Sequence, residues 1–190
     1  MSILIYAESA EGKIKKVAFE LASYAKKVAA SMGTTVTAVT INNSDNSALA
    51  AYGVDKVLNV SNDKLNNFSA KAYADVIAQA AKKEGTQIVL VSSTTDSLYL
   101  APLVAVALEA GYASNVVALP ESTSPFQVKR TAFSNKAFNI TEISTQVKVL
   151  GIAKNSFGLV ENTSSLSEES FAPSLNDADF GIKVENVEKV

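Results

Sequence analysis

Apolar and polar positions alternate along this chain between the pattern of a buried strand and that of a two-faced helix. Residues 2–7 (SILIYA) form a short, nearly continuous apolar run, as expected of a parallel strand covered on both sides. Beyond it, Ile14, Val17, Ala18, Leu21, Ala25, Val28 and Met32 recur three and four apart, with Lys15, Lys16, Glu20, Lys26 and Lys27 on the opposite side. This spacing predicts a helix, closed by Gly33 in the left-handed position that glycine occupies at little cost. Thr35–Ile41 reads as a second strand, Ser47–Tyr52 as a small-residue helix ended by Gly53, and Lys56–Val60 as a third strand. Residues 66–84 give a further helix, with Ala72, Tyr73, Val76, Ile77 and Ala80 inward and Gly85 as its stop. Residues 87–92 are a fourth strand and 116–119 a fifth. Between them the helix at 98–110 is apolar almost all round and is expected to be packed by protein on more than one face.

This β-α-β-α alternation with short connections predicts an α/β fold: a doubly wound, mostly parallel sheet between helical layers. From Phe126 the pattern changes. Residues 126–133, 138–145 and 147–153 are strand-like with polar turns between them, and read as antiparallel additions at one edge. Residues 1–155 are taken as the core domain and 156–190 as an acidic linker. Residues 155–180, rich in Ser, Asn, Glu and Asp, have no sustained period and read as a long loop. In 181–190, Ile182, Val184 and Val187 alternate with charges, the pattern of a strand returning to the sheet or of an exchanged arm.

Composition narrows the chemistry. With 190 residues and 47% hydrophobic content the chain suits one compact domain. It has no cysteine and no histidine, which excludes disulfides, thiolate chemistry, Cys/His zinc sites and imidazole acid–base catalysis. No apolar run reaches the roughly 18–20 residues of a membrane helix, and the start lacks a basic leader, so the expected location is the cytoplasm of a bacterium. The net charge of −2 gives no electrostatic case for nucleic acid. The charge is uneven: residues 161–190 carry Glu161, Glu168, Glu169, Asp177, Asp179, Glu185 and Glu188 against Lys183 and Lys189.

In a doubly wound sheet ligands bind beyond the carboxyl ends of the strands, where the strand order reverses. The sequence places Glu8, Ser9, residues 40–43, residues 92–95 and Asn115 there. The first crossover, Glu8-Ser9-Ala10-Glu11-Gly12-Lys13, has neither the three-glycine dinucleotide fingerprint nor a phosphate loop, and reads as an ordinary turn and helix start. The hydroxyls of Ser92, Ser93, Thr94 and Thr95 precede a helix. They either hold an anion or form a polar loop with one cap among Thr95, Asp96 and Ser97. Glu8 with this hydroxyl group is also the one carboxylate–nucleophile cluster on which a small hydrolase or transferase would rest. Arg130, Phe133 and Asn135 lie in an extended run and turn, read either as a solvated hairpin or as an interface anchored by arginine beside an aromatic.

Several segments together resemble the amino-terminal domain of electron transfer flavoprotein α-subunits: SILIYAE at the start, GVDKVLNV at 53–60, residues 92–117, VKRTAFSNKAF at 128–138 and VKVLGIAKNSFG at 147–158. Pro102 and Ser114-Asn115-Val116 fit the family's helix proline and serine-aspartate-valine step. Ser97-Leu98-Tyr99 stands where glycine, a base and an acid are usual, and Leu103 where arginine is, which favours protein packing over a charged ligand. Arg130, Phe133 and Asn135 match a family pattern, with Ser134 in place of glycine.

The resemblance implies a three-layer fold of the adenine nucleotide alpha hydrolase-like kind. It also implies a heterodimer with a β-subunit, and FAD held mainly in a second, carboxy-terminal domain beyond Val190, with no cofactor site on these residues. Electrons would pass from acyl-CoA dehydrogenases, as in fatty acid β-oxidation, to a membrane quinone reductase. The chain is then an electron carrier subunit, not an enzyme, a scaffold without catalytic or metal-ligating residues. Apolar surface at Phe133 and Phe138 would be covered by partners or by self-association. The alternative is a stand-alone nucleotide-binding module of universal-stress-protein-like architecture, which requires a glycine-rich phosphate loop.

Overall fold

The computed structural model describes residues 2–181 together with 185 and 186; most of the strand expected at 181–190 lies outside the described residues. In chain order the elements are β1 (Ser2–Tyr6), β2 (Ser9–Ala10), β3 (Lys13–Ile14), α1 (Lys16–Met32), β4 (Thr35–Ile41), β5 (Lys56–Val60), α2 (Ala70–Glu84), β6 (Ile88–Ser92), α3 (Thr95–Ala107), β7 (Gly111–Val116), β8 (Ser122–Thr123), β9 (Phe126–Ala132), β10 (Ala137–Glu142), β11 (Lys148–Ile152) and β12 (Ser167–Ser170). Short 3₁₀ turns at Ser47–Tyr52, Asp63–Leu65 and Asp177–Phe180 join them.

Continuous apolar runs become the middle of one large sheet, ordered β10-β9-β7-β11-β6-β1-β4-β5-β12. From β7 to β12 neighbouring strands are parallel; β8, β9 and β10 add antiparallel. Residues alternate between the two faces, as strand geometry requires. Ile3 and Ile5 pack with Leu21, Tyr24 and Val28 of α1, whereas Leu4 and Tyr6 pack with the α2 and α3 layer at Ile77, Leu100 and Val104. Burying such a side chain contributes about 1.5–3 kcal/mol. The three-layer α/β arrangement expected from the sequence is therefore present. Among the described residues no helix is long and apolar enough to cross a membrane.

Three expectations need correction. The run at 147–153 is not an edge addition: β11 pairs in parallel with both β6 and β7, in mid-sheet. Its near-continuous apolar character is what burial on both faces demands. The fifth strand covers Gly111–Val116, ahead of the expected 116–119, because Ser114-Asn115 is a bulge inside a strand and not a turn before one. Register slips between Leu150 and Ile152, and Asn115 takes φ +54°, a conformation asparagine tolerates. Nor is the whole of 155–180 a loop. The chain runs back over α1, where Ser23 bonds Val160 in both directions, and ends as β12 beside β5.

Ion pairs fasten that last strand. Glu169 lies 2.8 Å from both Lys56 and Lys83, and their hydrogen bonds lower its carboxyl from 4.5 to about 2. Downstream, Asp179 is held below its usual range by the Lys71 ammonium and the Asn176 amide. A carboxyl depressed in the folded state stabilises above its unfolded pKa and ceases to do so as pH falls through the folded value. Amides of β12 are accordingly expected to lose hydrogen-exchange protection as pH drops from about 4.5 towards 2, ahead of β5. Glu169→Gln should remove most of that pH dependence; unchanged β12 protection at pH 3 in the parent chain would contradict the assignment.

Candidate functional site at the strand carboxyl ends

Strand order reverses at β1, which has β4 on one side and β6 on the other. This is where an open α/β sheet leaves a crevice for ligand. Glu8, the second residue beyond β1, is only 3% exposed. Its Oε1 accepts from Thr94 Oγ1 at 2.7 Å and Ser97 Oγ at 3.3 Å, and its Oε2 from Lys15 Nζ at 3.3 Å. Thr94 caps α3 by accepting from the Ser97 amide at 3.3 Å, one position before the expected cap, and α3 starts at Thr95 instead of Leu98. A hydroxyl loop that could have cradled an anion is thus turned onto a carboxylate, which an anionic ligand would have to face.

The first crossover holds Glu8 in place. Residues 9–14 form a small hairpin, Ser9 opposite Ile14 and Ala10 opposite Lys13, closed by Glu11 and Gly12 in left-handed conformations. The Lys15 amide returns to the Glu8 carbonyl at 2.9 Å. Ile14, expected on the helix, belongs to this hairpin, and α1 begins at Lys16.

Polar residues after the other strands are also used internally. Asn42 Nδ2 donates to the Asn62 carbonyl at 2.9 Å and to Asn66 Oδ1 at 2.8 Å. Asn46 and Asn59 both donate to Glu168 Oε1, at 3.1 and 2.8 Å, tying the end of β4 and β5 to β12. Ser93 donates its amide to Ile152. Beside it, Gly151 is packed so closely that an added Cβ would lie 3.2 Å from Ser93 Oγ and 3.5 Å from the Tyr112 hydroxyl. Burial raises the Tyr112 phenol, with Ser114 and the Arg130 charge pulling the other way.

Of the sequence candidates, Glu8 and Thr94 are in direct contact, and Ser93 lies on the neighbouring strand end. Asn115 sits in the β7 bulge beside Ser114, the residue that accepts from Arg130 Nη2 at 3.3 Å. Arg130 Nε is buried without a hydrogen-bond partner among the described residues. The expected arginine–aromatic pair does not form through Phe133, which is 82% exposed in the hairpin turn; the cation–aromatic contact there is Lys129 over Phe138 at 4.6 Å. Asn135 shares that turn, and Phe133, Ser134 and Asn135 are all left-handed, a backbone that favours the glycine absent at 134.

Two residues went unnoticed in the sequence. Glu20, assigned to the solvent side of α1, is buried and accepts from the amides of Asn155, Phe157 and Gly158 at 2.9–3.0 Å. Burial pushes its carboxyl up, but those amides outweigh the effect and hold it below the ordinary range. Asp55 joins Lys26 at 3.0 Å and the Val36 amide at 2.9 Å, so Lys26 is not simply solvated. Both acids fasten segments that carry the resemblance, AKNSFG and GVDK. Among the described residues no group of three or more acidic side chains could hold a metal ion.

Removing the Glu8 carboxylate leaves the hydroxyls of Thr94 and Ser97 and the Lys15 ammonium without their acceptor. Glu8→Ala is expected to cost about 1–3 kcal/mol, read by urea unfolding, and to expose the first-turn amides of α3 to exchange. A change under about 0.5 kcal/mol would show that the carboxylate does not hold the helix start.

Comparison with known proteins gives a consistent picture. The electron transfer flavoprotein domain model matches residues 3–174. The electron transfer flavoprotein subunit alpha of Thermoanaerobacterium thermosaccharolyticum is 34% identical over 120 residues, covering 62% of this chain and 36% of the relative. The corresponding subunit of Bacillus subtilis is 26% identical over 180 residues, covering 92% of this chain and 55% of the relative. The LctC subunit of the NAD⁺- and ferredoxin-dependent lactate dehydrogenase of Acetobacterium woodii is 30% identical over 132 residues, 67% of this chain and 32% of that protein. The chain thus spans between about a third and about half the length of these relatives.

Proposed function

The chain belongs to the electron transfer flavoprotein family, and on that premise we propose that it is the scaffold part of an α-type subunit. It packs against a β-subunit, and the pair forms a base for a flavin-binding domain whose FAD is held by residues outside this chain. In this reading the subunit is an electron carrier of the bacterial cytoplasm. It takes electrons from acyl-CoA and related dehydrogenases and passes them through the flavin towards a quinone reductase.

The observation that carries the reading is a contrast between two surfaces. The strand-end crevice, where a nucleotide module would bind its ligand, is occupied by Glu8 and its three partners. The outer face of α3, by contrast, presents Leu98 (58% exposed), Tyr99 (67%) and Val106 (77%), with Pro102 and Leu103 between them. Positions 98, 99, 102, 103 and 106 form one helical stripe. A contiguous exposed apolar stripe marks a protein-interaction surface. It also replaces the charged residues usual in this family at the helix start, in keeping with protein packing there. Arg130 with Ser114 and Asn115, and the Phe133–Asn135 turn, are assigned to the neighbouring margins of the same assembly.

The test is complex formation with the cognate β-subunit, measured by calorimetry on the purified chain. Val106→Glu or Tyr99→Glu is expected to weaken binding at least about tenfold, since each places a charge where apolar area is buried. The chain alone should show no flavin absorbance after gel filtration. Equal affinity of the variants would move the interface elsewhere, and stoichiometric flavin on the lone chain would overturn the scaffold assignment.

A further inference from the structure

The two edges of the sheet are built differently. At one end β12 is four residues long and carries Glu168 and Glu169, the charges and brevity that discourage another strand from pairing. At the other end β10 is six residues long, AFNITE, with no proline and no lysine within it and, among the described residues, no strand on its outer side. Its Phe138 is 64% and its Ile140 51% exposed.

The outer edge of β10 has a defined hydrogen-bonding phase. Ala137 lies opposite Ala132 and Glu142 opposite Gln127, and just past the strand the Ile143 amide donates to Phe126 at 2.9 Å. Antiparallel pairs alternate between bonded and non-bonded positions. Residues 137, 139, 141 and 143 therefore face β9, and the backbone groups of Phe138, Ile140 and Glu142 point outward.

From this edge the geometry points to a second copy of the same chain, paired antiparallel through β10 about a two-fold axis at Asn139. The seven residues from Lys136 to Glu142 are self-complementary in that register alone. Phe138 meets the second copy's Ile140, Ala137 meets Thr141, and Lys136 meets Glu142, each pair occurring twice. Phe138 and Ile140 are both outward-bonding positions, so the backbone phase agrees with the side-chain match. Shifting the register by two residues either way sets Phe138 against Glu142, or leaves Glu142 opposite the turn. Cross-strand aromatic–aliphatic and opposite-charge pairs are the units that stabilise such a junction, and a self-complementary patch closes as an isologous dimer.

The partners are in position for it. Phe138 already lies under Lys129, Glu142 is braced by Gln127 Nε2 at 3.0 Å, and Lys136 makes no ion pair among the described residues. The junction is one strand wide and small beside the roughly 1,200 Å² of a stable interface, so the dimer is a weak one, populated at high protein concentration.

Sedimentation equilibrium on the full chain, with charge reversals at the two ends of the strand, tests the register itself. Lys136→Glu and Glu142→Lys are surface changes, each placing like charges opposite each other twice per dimer, and each should weaken association about tenfold. The double variant Lys136→Glu/Glu142→Lys restores opposite charges and should bring association back to the parent level. Amides of Phe138, Ile140 and Glu142 should gain hydrogen-exchange protection with concentration. A chain monomeric at every concentration, a dimer indifferent to the single reversals, or a double variant no better than the singles would each overturn the proposal. Protection of β10 that appears only when a β-subunit is added would assign the edge to that subunit, and would leave the family reading untouched.

Discussion

The buried carboxylate of Glu8 is the interaction on which the working end of this fold depends. A charged group 3% exposed persists only with partners that compensate its lost hydration. Lys15, Thr94 and Ser97 supply them, brought there by two separate elements. The hairpin of β2 and β3 returns Lys15 to Glu8. The cap of α3 brings Thr94 and Ser97 together. Strand β1 delivers Glu8 to the point where strand order reverses. The start of a helix elsewhere in this fold class is free to receive a phosphate; here the hydroxyls of Thr94 and Ser97 at the helix start are already bonded to Glu8.

The same use of internal acids recurs at the margins. Glu20 gathers the amides of the loop that follows β11, Asp55 fixes the entry to β5, and Glu168 and Glu169 dock the returning strand. The acidic bias of the carboxyl-terminal stretch is thus partly structural: Glu168, Glu169, Asp177 and Asp179 fasten the chain to asparagines and lysines of the core. Most of what is left exposed and apolar lies on α3 and around β10; Met32, Leu159 and Val160 are exposed elsewhere.

Much of the fold was legible because its signals are local. Runs such as SILIYA and TVTAVTI, with glycines at positions 33, 53 and 85 in left-handed stops, declare strands and helix ends without tertiary context. The errors arose where tertiary pairing decides. KVLGI at 148–152 is a strand in either reading, and only insertion between β6 and β7 makes it central. Ser114-Asn115 looks like a turn until Gly151 opposes both residues across a bulge. SEES at 167–170 has no strand propensity and is held by Lys56, Lys83, Asn46 and Asn59, four residues distant in sequence. The candidate site was half legible for the same reason: Glu8 and Thr94 stand out at strand ends, but Glu20 sits among helix-surface charges and gives no sign that it turns inward.

The most direct test of the central claim is a nuclear magnetic resonance titration of the isolated chain with AMP, ATP and FAD, following the amides of residues 8–15 and 92–97. With Glu8 closing the crevice, these amides should not shift, up to millimolar ligand. Saturable shifts confined to those residues would contradict the account, since they would mean that a nucleotide displaces the carboxylate and that this end of the sheet is a binding site.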